Sequence, residues 1–224
     1  RFHLRLHRLL LRRPQLLPQH ATLLLAVSGG QDSMALVGLL RDLQRLHHWR
    51  LLLWHGDHGW RPESAQQASA LAAWAAGEGL PLERQRWDAP QPDEAAARQW
   101  RLACLQRRAT ELGASRVVSG HTASDRAETL LLNLARGSHR RGLASLRPLR
   151  PLGDAVQLAR PLLVFSRGET AQIQQQLQLP VWSDPSNDDP RFSRNRIRAR
   201  CCRCWRPCTP GPAAGCPASA PAWR

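Results

Sequence analysis

Short apolar runs alternate along this chain with longer stretches in which apolar side chains recur at helical spacing. Thr22 to Val27, Arg50 to His55, Pro81 to Trp87 and Arg116 to Ser119 are the runs, and they predict strands. Two of them are nearly continuous Leu or Val, the pattern of parallel strands covered on both faces. Asp32 to His47, Pro62 to Gly79, Asp93 to Leu112 and Ser124 to Ala135 carry the helical period, with Gly113 and Gly137 as stops. Strands about thirty residues apart, with a helix in each gap, predict βαβ units wound into a mostly parallel sheet with helices on both faces. This is an α/β fold of the doubly wound kind, in which ligands sit beyond the carboxyl ends of the strands.

The two ends differ from this body. Arg1 to Arg13 interleaves charge with leucine, so residues 1–20 are expected to be an amphipathic segment. A signal peptide would instead place its charges before an unbroken apolar run. Arg1 is not Met, so the start of translation is expected upstream. Residues 21–145 make up the predicted main domain. After Gly137 the texture turns to Arg, Gly, Pro and Ser, and Pro148, Pro151 and Pro161 break any long helix. Ser166 to Leu179 then reads as a helix, with Ser166 and Glu169 at capping-box spacing. Residues 146–200 are therefore expected to form a small, mainly helical appendage with a hairpin, ending in a basic helix.

Composition narrows the partners. At 224 residues and 42% hydrophobic content the chain can bury one substantial core. No apolar run is long enough to cross a bilayer, so no membrane association is expected. The net charge is +15, and all 32 basic residues other than His are Arg. Such a surplus favours a polyanion, nucleic acid first, and guanidinium suits phosphate forks and base stacking. A GC-rich genome would account for Arg in place of Lys, but not for the excess over acids. The absence of Lys excludes a Walker A loop and a pyridoxal Schiff base. Of the six Cys only Cys104 lies in the body, which reads as cytosolic. The other five crowd residues 201–224, which contain no Leu, Ile or Val and cannot bury a core. A disordered tail, or the product of a shifted reading frame, is expected there; the spacing of Cys201, Cys204 and Cys208 leaves a metal site as the alternative.

The strongest local signal is Ser28-Gly29-Gly30-Gln31-Asp32-Ser33, set between the first strand and the first long helix. Two glycines let the backbone approach an anion, the hydroxyls of Ser28 and Ser33 add donors, and the helix N-terminus contributes partial positive charge. This is a pyrophosphate cradle without Lys. An Asp beside bound phosphate would be repelled unless it held a cation, which makes Asp32 a candidate Mg²⁺ ligand. The plainer reading is a helix cap. The whole motif resembles the PP-loop of the N-type ATP pyrophosphatases, which cleave ATP between the α and β phosphates. That resemblance implies an adenine nucleotide alpha hydrolase-like fold, ATP as co-substrate and transfer of AMP to a carbonyl-type oxygen.

Further segments resemble the lysidine synthases of that class in order and spacing. The first is His55-Gly56-Asp57-His58-Gly59-Trp60-Arg61-Pro62-Glu63-Ser64. Asp57 and His58 there either contact nucleotide or hold a turn. The second, Gly120-His121-Thr122-Ala123-Ser124-Asp125-Arg126-Ala127-Glu128-Thr129, puts Asp125 and Glu128 three residues apart on a helix, where the plain reading is an acidic first turn. The family usually has Asp at the position of Ser124. The third is Arg136-Gly137-Ser138-His139-Arg140-Arg141-Gly142-Leu143, with a later Arg160-Pro161-Leu162. Its loop arginines suit an RNA backbone or are simply solvated. The fourth, Asp184-Pro185-Ser186-Asn187 leading to Arg194-Asn195-Arg196-Ile197-Arg198, is the most discriminating. Ala97-Arg98-Gln99-Trp100-Arg101 is a smaller match, read as helix packing.

The resemblance implies ligation of free L-lysine to C2 of the wobble cytidine of an isoleucine tRNA with a CAU anticodon, through an adenylated base, so that AUA is read in place of AUG. It implies a cytoplasmic enzyme using ATP and Mg²⁺, with a homodimer left open. ATP would contact Ser28, Gly29, Gly30, Gln31, Asp32, Ser33, His58, Gly120 and His121. Asp32, Asp125 and Glu128 would be catalytic, the last two serving metal or lysine. Arg136, Arg140, Arg141, Arg194, Asn195, Arg196 and Arg198 would hold tRNA. A tRNA-thiolating enzyme of the same class and a non-catalytic RNA-binding module are the alternatives.

Overall fold

The computed structural model describes residues 1–60, 63–91, 93–138, 146–182 and 195–197. Its elements are α1 (Phe2–Arg12), β1 (Thr22–Ala26), α2 (Gln31–His47), β2 (Arg50–Asp57), α3 (Ser64–Gly77), β3 (Leu82–Arg86), α4 (Glu94–Glu111), β4 (Arg116–Ser119), α5 (Ala123–Ala135), β5 (Leu149–Pro151), β6 (Gln157–Ala159) and α6 (Arg167–Gln176). A short 3₁₀ turn, Pro161–Val164, precedes α6. Each predicted strand and helix of the main body is present, with ends shifted by a few residues. The tail from residue 201, Arg140, Arg141, Arg194 and Arg198 lie outside the described residues.

Six strands form one sheet in the order β3-β2-β1-β4-β6-β5. All neighbours are parallel except β5 and β6, which make an antiparallel hairpin. The hairpin belongs to the main sheet: β6 pairs with β4, matching Val117 to Leu158 and Val118 to Ala159. Pro151 sits on the outermost strand, where its missing N–H costs no ladder bond.

Strand alternation divides the core into two layers. Leu23 and Leu25 of β1, Leu51 and Leu53 of β2, and Val118 of β4 face α1, α2, α3 and α6, joining Leu6, Met34, Leu71 and Ile173. Leu24, Leu52, Trp54, Val117 and Leu158 face the other way, onto Cys104, Leu105 and Ala109 of α4. Helices thus cover both faces. Helix α2 is buried continuously from Ser33 to Leu40, because the sheet lies on one side of it and α1 and α6 on the other. Helix α1 is amphipathic: Phe2, Leu6 and Leu10 are buried at a spacing of four, while Leu4 and Leu11 face outward.

The turn chemistry places the ends of the helices. Asp93 accepts from the N–H groups of Ala95 and Ala96 and starts α4. Thr122 with Asp125, and Ser166 with Glu169, form reciprocal capping boxes on α5 and α6. Such caps are each worth about 1 kcal/mol. Helix α2 has Gly30 at its N-cap and no side-chain cap. Its first N–H groups therefore receive no capping oxygen from that residue.

A candidate phosphate-binding active site

From β1 the chain builds outward to β2 and β3, then returns to lay β4 on the opposite side of β1. The switch point of the sheet therefore lies between β1 and β4, and the site is built there. After β1 the chain turns through Gly29 at φ +82°, a conformation that strains any side chain. The Gly30 N–H donates to Ser28 Oγ at 3.3 Å, Ser33 Oγ donates to the Gly30 carbonyl at 2.8 Å, and the Ser28 N–H donates to Ser33 Oγ at 3.3 Å. The loop therefore holds its own curvature and leaves the N-terminus of α2 aimed outward. From the other flank Gly120, just after β4, crosses the start of α2 so closely that a Cβ would lie 2.9 Å from the Asp32 carbonyl oxygen. Trp182 covers Gly29, donating its backbone N–H to the Gly29 carbonyl at 3.0 Å.

A cleft of about 620 Å³ opens over this loop, a size typical of small-molecule sites. Its walls include Ser28, Gly30, Asp32, Ser33, His58, Gly120, His121 and Asp125 from the sequence-derived set. Gly29 lies beneath Trp182. The Gln31 side chain turns instead toward α6, donating to the Arg167 carbonyl and to Thr170 Oγ1. Asp125 reaches the cleft while its Oδ2 accepts from the Thr122 N–H at 2.7 Å and from the Thr122 hydroxyl at 2.9 Å. Glu128, one turn further along α5, is only 2% exposed and is not among the residues lining the cleft. Ser124 serves the packing of the helices, since its hydroxyl accepts from the Arg167 N–H at 3.1 Å and ties α5 to the start of α6. Arg136 is exposed just beyond α5, and Asn195 and Arg196 occupy a helical stretch with Arg196 exposed.

The end of β2 is organised by turn and ring contacts. Asp57 Oδ1 accepts from the Gly59 N–H at 2.8 Å, so this carboxylate does hold a turn. His55 donates its Nδ1–H to the Val27 carbonyl at 2.8 Å. Burial pushes the His55 pKa down, and the bond to Val27 and the nearby Asp57 oppose the shift. The His58 ring stacks on Trp60 at 5.2 Å and meets Trp100 edge to face at 5.2 Å, while Trp87 and Trp100 stack at 5.4 Å. Trp100 thus packs against His58, which lines the cleft, in keeping with a packing role.

Three arginines on the walls, which the sequence shows only within family-like segments and without a site role, are Arg98 and Arg101 of α4 and Arg160 just after β6. Arg160 is 2% exposed, donates to the Arg147 carbonyl at 2.8 Å, and has a buried Nε with no hydrogen-bond partner among the described residues. Burial, then the charges of Arg150 and Arg98, lowers its pKa to about 10. Arg101 is pushed down by burial and by Arg98, with Glu94 opposing. The guanidinium groups thus repel one another across the cleft from the glycine loop, an arrangement that a bound polyanion would relieve. Among the described residues no cluster of three or more His, Cys, Asp or Glu is arranged to hold a metal ion. A Mg²⁺ held by one carboxylate together with substrate phosphates needs no such cage, and Asp32 beside the phosphate loop fits that role.

Residues 3–203 match the PP-loop domain family. The chain is 60% identical over 205 residues to the tRNA(Ile)-lysidine synthase of Parasynechococcus marenigrum, covering 88% of this chain and 60% of that protein. It is 56% identical over 197 residues to the tRNA(Ile)-lysidine synthase of a Synechococcus species, with the same two coverages. It thus spans about 60% of the length of these curated relatives. Among solved structures, the U34-tRNA thiolase NcsA of Methanococcus maripaludis, with its 4Fe-4S cluster, superposes with a TM-score of 0.76. It covers 93% of this chain and 73% of the thiolase at 18% identity, a likeness of fold.

Proposed function

The chain belongs to the PP-loop ATP-binding family, and on that premise we propose that it carries the catalytic chemistry of a tRNA(Ile)-lysidine synthase. The observation that carries this reading is the lysine-free cradle Ser28 to Ser33, facing Asp125 and three arginines, in a chain 60% identical to such a synthase. ATP lies with its phosphates on the N–H groups at the start of α2 and on the hydroxyls of Ser28 and Ser33. His58, Gly120 and His121 border the rest of the nucleotide. Asp32 would hold Mg²⁺, which when bound would neutralise charge on the phosphate oxygens.

Cytidine O2 attacks the α phosphorus, the bond to the bridging oxygen of the β phosphate breaks, and pyrophosphate leaves. Arg98, Arg101 and Arg160 offset the charge of that leaving group. The ε-ammonium of lysine gives one proton to solvent, and the resulting amine bonds to C2 as the C2–O2 bond breaks and AMP leaves with that oxygen, so each ATP yields one AMP and one pyrophosphate. Asp125 is the carboxylate of the predicted pair that lines the cleft, and we assign it to the incoming ammonium group. Arg136 and Arg196 supply phosphate contacts for tRNA, together with Arg140, Arg141, Arg194, Asn195 and Arg198.

The test is incubation with isoleucine tRNA bearing a CAU anticodon, ATP, Mg²⁺ and labelled lysine. Label retained in the RNA with stoichiometric AMP supports the reading. ADP as product, or AMP release without label, overturns it.

A further inference from the structure

We infer that Thr170, on α6, is a positioning residue for Asp32. The inference rests on the reading of Asp32 as the metal-holding carboxylate and extends it to a residue 138 positions away in sequence.

Thr170 is fully buried, and its hydroxyl contacts Asp32 Oδ1. A threonine hydroxyl has one proton and two lone pairs, so the direction of each bond can be worked out. Gln31 Nε2 lies 2.9 Å from Thr170 Oγ1 and is necessarily the donor, which leaves the Thr170 proton to be given elsewhere. Two acceptors are in reach, Asp32 Oδ1 and, at 2.9 Å, the Arg167 carbonyl. That carbonyl already accepts from Gln31 Nε2 at 2.8 Å. A carboxylate is the stronger acceptor, so the proton goes to Asp32. The result is a directed relay in which the Gln31 amide donates to the Thr170 hydroxyl and the hydroxyl donates to the Asp32 carboxylate. It fixes Oδ1 and thereby the orientation of the whole carboxylate toward the cleft that Asp32 lines.

The packing of α6 on α2 is built to allow this reach. Gly38 is the contact point: a Cβ there would lie 2.7 Å from Leu179 Cδ1 and 2.9 Å from Leu177 Cδ1. The start of α6 is held in turn by its Ser166–Glu169 capping box, by Ser124 from α5, and by Arg5 of α1, whose guanidinium meets Glu169 at 2.6 Å. At 0% exposure no water can replace the Thr170 hydroxyl if it is removed. Partners that orient metal-binding groups typically account for about 10- to 100-fold in metal affinity.

The experiment is electron paramagnetic resonance titration of Mn²⁺ into the protein saturated with a non-hydrolysable ATP analogue, without tRNA or lysine. Relative to wild type, Thr170→Val, which keeps the shape, is expected to weaken Mn²⁺ at least about tenfold. Thr170→Ser, which keeps the hydroxyl, is expected to bind as wild type does, and Gln31→Met to fall between. Binding of the analogue in excess EDTA is expected to be equal in wild type, Thr170→Val and Thr170→Ser. Equal Mn²⁺ affinity in wild type and Thr170→Val overturns the inference while leaving Asp32 as a ligand. Equal affinity in wild type and Asp32→Asn removes the reading of Asp32 and the inference with it. Should Thr170→Val fail to fold, Gln31→Met against Thr170→Ser makes the same comparison, and equal affinities overturn the relay.

Discussion

Gly120→Ala is a small perturbation with a calculable consequence. The added Cβ would stand 2.9 Å from the Asp32 carbonyl oxygen, 3.0 Å from the Asp32 carbonyl carbon and 3.0 Å from the Ser33 nitrogen, where ordinary contact begins at 3.4 Å. All three atoms are backbone, so no rotamer change relieves the overlap. Either the junction between β4 and α5 or the first turn of α2 must shift by several tenths of an ångström. Overpacking of this kind costs roughly 1–3 kcal/mol. For a chain of this size each kcal/mol lowers Tm by about 2–4 °C, so a fall of about 2–12 °C is expected. The same shift moves the N–H groups that would cradle phosphate, and ATP affinity is expected to drop at least about tenfold, since misplacement by about 1 Å can cost 100-fold. Gly77→Ala is the control, because a Cβ there meets nothing within 4 Å. It is expected to leave Tm unchanged or raise it by an amount worth at most about 1 kcal/mol. Thermal denaturation and calorimetric titration with ATP check both. If Gly120→Ala melts and binds ATP as wild type does, the close crossing over α2 does not hold the cradle in shape.

Two further outcomes follow from the charges and caps. Burial lowers the pKa of His47 from 6.5, as do the charges of His7 and His48, and burial lowers that of His55. Below their ordinary pKa the unfolded chain binds protons that the folded chain refuses, so this stabilisation is complete above pH 6.5 and is lost as the pH falls through the lowered folded values. Tm is expected to fall between about pH 7 and pH 5, and His47→Asn to flatten part of that slope; a slope unchanged by the substitution would rule His47 out as a source. Thr122→Ala removes the hydroxyl arm of the cap that holds Asp125 and leaves the N–H of residue 122 donating to the Asp125 carboxylate. It is expected to cost about 1 kcal/mol, read as a Tm shift of about 2–4 °C, and to raise KM for lysine more than KM for ATP.

The parts legible in the sequence are those whose cause is local. Arg116 to Ser119 reads as a strand and β4 has those same ends, because its apolar pattern and flanking turn residues lie within a few positions. The phosphate loop is legible for the same reason: strand, glycine turn, hydroxyls and helix start are contiguous. The three-residue strands β5 and β6 are too short for their period to register, and only pairing with β4 places the hairpin in the main sheet. Spacing of i and i+3 suggests that Asp125 and Glu128 share a face. Three residues amount to about 300° of rotation and about 4.5 Å of rise, so the second carboxylate points about 60° away and one turn deeper. Burial of Glu128 agrees with that geometry.

What composition and period do not supply is tertiary choice against residue type. Arginine is rarely fully buried, so Arg160 reads only as the first residue of a family-like Arg-Pro-Leu, whereas its backbone position at the end of β6 carries the side chain inward beside Arg98. Thr170 gives no signal at all, since a threonine one turn inside a capped helix is ordinary surface chemistry until that helix is laid against α2. The determinant of that docking is not at the site but at Gly38, two turns along α2 from Asp32, where the missing side chain lets Leu177 and Leu179 seat. A residue with no atoms to offer the nucleotide thus sets how closely α6 can approach the phosphate loop. Together with the pairing of β6 on β4, which places Arg160, this docking lets a region that reads as an appendage in sequence form one wall of the cleft, through Arg160 and Trp182.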